Sequence, residues 1–186
     1  MSDRTSRGMP GATMNVLETA PAITQITHYS GWFRLKESVE EHVFQDWLVD
    51  GVSLRQVVAQ RSGWPEDAGL PSDHPPFRSD DFWPELAVSS LRSLLGELPG
   101  ELPGGRVVLL RCPVCADVSC GAVTAELVLH DDVVEWRDVG WQSEDDFDVS
   151  SDGFPTPLTL QFSRLPYVNL LRRLLNEYTT LVNTVQ

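Results

Sequence analysis

The chain of 186 residues carries 27 acidic against 14 basic side chains, a formal charge of −13 and a pI of about 4.5. That length suits one domain with a proper core, and that charge excludes the concentrated basic surface that a phosphate backbone requires. No apolar run reaches the length of a membrane span, no apolar stretch follows Arg4 and Arg7, and the odd count and tight spacing of the three cysteines argue against a disulfide framework, so the expectation is a cytoplasmic protein without nucleic-acid or membrane partners.

Residues 1–20 are rich in Ser, Gly and Thr without a period, which predicts a disordered tail ahead of a single domain over 21–186. Ile23 to Leu35 reads as a strand, with Tyr29, Trp32 and Phe33 as aromatic surface. Val43 to Val49 reads as a second, with Val43, Trp47 and Val49 on one face and Phe44 and Leu48 on the other. Asp50-Gly51 turns the chain, and Ser53 with Gln56 has capping-box spacing for a helix from Leu54 to about Arg61, buried along Leu54, Val57 and Val58.

Residues 62–79 hold Pro65, Pro71, Pro75 and Pro76 and predict a long irregular loop. Trp64, His74 and Phe77 make it either a partner-binding surface or a loop anchored by its own aromatics. Asp80 or Asp81 can cap a helix running through Pro84, with Ala87, Leu91, Leu94, Leu95 and Leu98 along its apolar face. The tandem Gly96-Glu-Leu-Pro and Gly100-Glu-Leu-Pro reads as a connector without function.

The stretch from Arg106 to Trp141 carries the clearest strand signals and all three cysteines. Val107 to Leu110 predicts a buried strand. Ala122 to Leu129 alternates, His130-Asp131-Asp132 turns, and Val133 to Val139 returns antiparallel. Gly121 marks a bulge or a close backbone approach. Cys112, Cys115 and Cys120 are spaced C-x2-C-x4-C, and Cys112-Pro-Val-Cys115 is the spacing at which a tight turn presents two thiolates to one zinc. Cys120 can supply a third ligand, but no second C-x2-C supplies a fourth, and His130 stands about 30 Å along a straight strand. The same pair admits dithiol–disulfide chemistry, although a strand rather than a helix follows it. Three thiols packed as small apolar residues complete the set of readings.

Cys112-Pro-Val-Cys115-Ala-Asp117-Val-Ser-Cys120-Gly121-Ala122-Val-Thr124, followed by Val134-Glu-Trp136-Arg-Asp138, resembles a group of actinobacterial and related bacterial proteins. Their pattern is C-x-x-C-G-D-x-x-C-G-A-x-T, then V-x-W-x-D-F. The chain departs from it at Ala116 and at Val139, where the pattern has Gly and Phe. The resemblance covers about forty residues well and implies a bacterial cytosolic protein. It carries no activity and no catalytic residues.

Ser143 to Asp152 holds five carboxylates and no base. Glu144, Asp145, Asp146 and Asp148 are either a solvated loop or a lure for a basic partner, and the register of a calcium loop is missing. Leu158, Leu160 and Phe162 predict a last strand. Ser163 and Pro166 begin a helix with Val168, Leu171, Leu174, Leu175 and Tyr178 toward the core. No nucleophile elbow, phosphate loop, dinucleotide fingerprint or His-Glu-x-x-His occurs.

The expected fold is α+β, a mostly antiparallel sheet of about five or six strands with two or three helices on one face. The expected function is non-catalytic binding of a basic protein, such as inhibition of a basic toxin or nuclease by an immunity protein. A zinc-stabilised module held by Cys112, Cys115 and Cys120 is one alternative, and a thiol oxidoreductase using Cys112 and Cys115 is another.

Overall fold

The computed structural model describes residues 14–30, 36–62, 84–111, 117–143 and 145–185. Two strands come first, β1 (Leu17–Ser30) and β2 (Lys36–Val49), paired antiparallel along their whole length from Leu17↔Val49 to Ser30↔Lys36. Asp50 and Gly51 then turn with φ of 54° and 78°, the left-handed pair that a two-residue hairpin needs. The turn leads into the two-residue strand β3 (Val52–Ser53) and helix α1 (Leu54–Ser62).

Helix α2 (Pro84–Leu94), β4 (Val107–Arg111), β5 (Ala122–Leu129) and β6 (Val133–Gln142) follow, then the one-turn helix α3 (Val149–Asp152), β7 (Leu160–Ser163) and the long α4 (Arg164–Val185). The α+β class holds, with a difference in layout. Seven antiparallel strands divide into two sheets, β1-β2-β3 and β4-β5-β6-β7, among the described residues.

Burial explains the second sheet. Val123 and Ala125 of β5, Val134 and Trp136 of β6, and Leu160 and Phe162 of β7 line one face and meet Leu91 and Leu94 of α2 and Leu171, Leu174 and Tyr178 of α4. The four rings of Trp47, Trp136, Phe162 and Tyr167 are its centre, with centroid separations of 4.9–6.1 Å. The Trp136 indole donates to Tyr167 Oη at 3.0 Å, and that hydroxyl donates to the Leu94 carbonyl at 3.1 Å, so both polar tips are satisfied inside the core. Midway along β6, Asp138 takes φ 49° opposite a register shift in β5. That bulge switches the strand's parity, and Val139 and Trp141 continue the inward face that Val134 and Trp136 began.

Several expectations are corrected. Val43 shares a strand face with Trp47 and Val49, but those two are buried, whereas Val43 is 53% exposed and its cross-strand partner Ile23 is 61% exposed. Along this face burial falls from Val49 and Trp47 through half-buried Gln45 to exposed Val43. Leu98 lies outside the core because α2 stops at Leu94 and the chain turns at Gly96 with φ 73°. The ordered chain also starts before residue 21. Asn15 bridges to Phe162, and β1 begins at Leu17. Residues 1–13, the rest of the expected tail, lie outside the described residues, as do the proposed caps Asp80 and Asp81.

Candidate functional site

Arg111, Ala122 and Gln142 stand side by side across β4, β5 and β6. Whatever leaves the sheet beyond this row leaves at one end. The cysteine-bearing connection 112–121 does so, and so does the acidic segment from 143 onward. His130 stands at the opposite end of β5, its Nε2 3.5 Å from Glu135. Sequence separation hid this convergence of the first two segments, and strand register reveals it.

The connection closes on a tight turn. Asp117 Oδ1 accepts from the Ser119 amide at 2.9 Å, the chain makes one 3-10 turn over Val118–Cys120, and Gly121 enters β5 at φ 87°. The hydrogen bonds from Ser119 hold the exposed Asp117 carboxyl below its usual range. A Cβ on Gly121 would stand 2.1 Å from Cζ2 of Trp141, so the glycine is the close approach that its position suggested. Arg111, the last residue of β4, donates to Glu101 Oε1 at 2.8 Å and to Ser90 Oγ at 2.9 Å, and Ser90 donates in turn to Glu101 at 3.0 Å. The repeated Gly-Glu-Leu-Pro connector is therefore built into the molecule. It supplies Glu101 to a buried arginine and Leu102 to a small second core with Val108 and Ala122.

The acidic segment is latched to the outer face of the sheet. Arg106, 6% exposed, donates to Thr124 Oγ1 at 3.0 Å and to the carbonyls of Thr124 and Asp138 at 3.2 and 2.5 Å. Thr124 donates to Gln142 Oε1 at 3.2 Å, and Gln142 Nε2 reaches the carbonyls of Asp145 at 2.9 Å and Pro103 at 3.3 Å. Phe147 lies over Arg106, guanidinium carbon to ring centroid 3.5 Å, and against Gly140, which bridges to Gly153. Burial lowers the Arg106 pKa to about 10, partly offset by Asp138, Glu126 and Asp152, so it stays a cation at neutral pH.

On this latched strap Asp148 caps α3, accepting from the Ser150 amide at 2.8 Å and the Ser150 hydroxyl at 2.7 Å, which hold its carboxyl below the usual range. Asp152 accepts from the Asp148 amide at 2.8 Å and from Ser151 Oγ at 3.1 Å. Asp145 and Asp146 are exposed, and so is Val149, at 58%. A cleft of about 560 Å³ opens beside the strap, lined by Ser62 from α1, Trp141 from β6, and the run from Val149 to Pro155. The end of α1, which leads into residues 63–83, thereby reaches the same cleft.

Of the expected site residues, Asp145, Asp146 and Asp148 fall on the strap. Cys112, Cys115, Trp64, His74, Phe77 and Glu144 lie outside the described residues, as does the side chain of Cys120. Among the described residues no group of three or more His, Cys, Asp or Glu side chains is placed to hold a metal. Sequence reasoning missed Arg106, Thr124, Gln142 and Phe147, and also Ser90 and Glu101. Its one signal was the pair of arginines, Arg106 and Arg111, bracketing an apolar strand, where a buried cation needs acceptors from elsewhere. Several residues of the stretch from Gly121 to Asp138 have structural work here. Val134 and Trp136 are core, Thr124 and Asp138 hold Arg106, and Gly121 admits Trp141.

No helix among the described residues is long and apolar enough to cross a membrane. Comparison of the chain with family models, curated proteins and solved structures gives no match.

Proposed function

We propose that the protein is a non-catalytic cytoplasmic domain that binds a basic protein, in the manner of an immunity or inhibitor protein for a basic toxin or nuclease. The observation that supports this reading is the latched strap. It presents exposed Asp145 and Asp146, the capping Asp148 and the apolar side chain of Val149 on a segment already fixed to the sheet. A surface held in place before binding loses little entropy on docking, and its charge, reinforced by the overall −13, steers a cationic partner toward it.

The test is retention of partners on the immobilised full chain from the cytoplasm of the producing cells. The expected result is a basic protein whose affinity falls about tenfold between low and high salt and falls again with Asp145→Asn plus Asp146→Asn. Retention indifferent to both, or no basic protein retained, overturns the proposal.

A second reading, a zinc-held connection, draws support from the pairing of Arg111 with Ala122, which sets the two ends of the segment bearing all three thiols side by side. Elemental analysis of reduced protein tests it, with about one zinc per chain expected and none in Cys115→Ser. The thiol oxidoreductase reading has less support, since a single 3-10 turn over Val118–Cys120 and then β5, rather than an α-helix, follow the Cys112–Cys115 pair.

A further inference from the structure

We infer that the outer edge of β1 pairs antiparallel with the same edge of a second copy of this chain, giving a two-fold dimer. β1 has one strand neighbour, β2, and among the described residues no backbone hydrogen bond reaches its other edge between Leu17 and Ser30. Beyond β3, which pairs with Leu48 and Val49 alone, the sheet is a ribbon of two strands. Two strands on their own hold together poorly in water, and further strands secure them. Long edges are ordinarily blunted with charge, lysine above all, so that they do not pair with another chain. This one is not. From Thr19 to Ser30 the strand has no Lys, Arg, Asp or Glu, in a chain of formal charge −13. Pro21, which has no amide proton to donate, bounds the usable edge on the side of the core and leaves Ala22 to Ser30.

Charge selects the occupant. Apart from Glu18, the acidic residues of the ribbon, Glu37, Glu40, Glu41 and Asp46, all belong to β2. A basic partner gains no ion pair from an uncharged strand, whereas a second copy of an acidic chain can approach only where its own charge is absent. In a sheet ordered β2-β1-β1-β2, neighbouring strands about 4.8 Å apart put the two acidic strands about 14 Å from each other. That exceeds the screening length of about 10 Å at 0.1 M salt. Pairing centred on Ile26 uses Ala22 to Ser30 in both copies and sets Ile23, 61% exposed in the single chain, across from Tyr29. A β-branched residue opposite an aromatic one is among the favourable cross-strand pairs. The same edge serves in each copy, so the assembly closes at two.

The experiment is sedimentation of the full chain under reducing conditions over a range of concentrations, joined to amide hydrogen exchange read by mass spectrometry at both ends of that range. Expected are a mass that doubles from the 20.8 kDa of the chain, and exchange within residues 22–30 that slows with concentration while that of β5 and β6 stays fixed. Gln25→Glu plus Thr27→Glu sets carboxylates opposite one another across the two-fold axis and should weaken the dimer about tenfold. Asp145→Asn plus Asp146→Asn, on the strap, should leave it as strong or stronger. A single-chain mass at every concentration, growth past two chains, protection that rises outside 22–30 instead, or a dimer indifferent to the paired glutamates overturns the proposal. Circular dichroism shows whether the glutamate variant folds, and where it does not, the mass and exchange of the unaltered chain decide.

Discussion

Gly121 stands at φ 87° and ψ 154°, a region that side chains with a Cβ hardly enter, and the Trp141 indole occupies the place of its missing Cβ. Alanine there must displace a half-buried ring and strain the backbone together. We expect Gly121→Ala to lower the unfolding free energy by about 2–4 kcal/mol, measured by denaturant titration with the slope unchanged. A loss below about 0.5 kcal/mol would mean that the ring moves aside freely. This residue was legible in the sequence, because a glycine between a cysteine turn and a strand invites a close approach. Asp138 was not. Its left-handed φ follows from a bulge whose partner lies in another strand, and an aspartate inside an alternating run gives no local sign of it.

At the scale of the element, the strap from 143 to 153 combines a readable and an unreadable part. The run of carboxylates and the capping Asp148 were open to inspection. The latch was hidden, because Arg106, Gly140 and Phe147 meet only after three strands have paired. The same reason hid Ser90 and Ser93, buried in α2 on what the apolar periodicity marks as its flank. The cap makes the strap sensitive to acid. The Asp148 pKa is depressed in the folded chain, so its contribution is complete above the ordinary carboxylate value and is lost as the pH falls through the depressed one. We expect the Ser150 amide signal to move toward its unstructured position below about pH 4, while amides of β5 and β6 hold. In Asp148→Ala the same signal should be unstructured at neutral pH. Retention of the shift in that variant would mean that Asp152 holds the turn alone.

Across the whole molecule the surplus of thirteen negative charges opposes compaction. Exposed pairs such as Arg173–Glu177 and Arg172–Glu97 return little, since solvent screens them. Salt should therefore stabilise the fold, and we expect the thermal midpoint to rise by several degrees between about 20 mM and 500 mM sodium chloride. A fall would mean that attractive pairs outweigh the general repulsion. The two sheets share one further bond that concerns time rather than energy. Asn15 exchanges hydrogen bonds with Gln161, 146 residues away, and Asp50 accepts from both Asn15 and the Val16 amide. A chain leaving the ribosome can close the β1–β2 ribbon early, but this suture waits for β7. Until β7 emerges, β1 lacks its hydrogen bonds to the second sheet, and the ribbon meets that sheet through side chains such as Trp47 against Trp136 of β6.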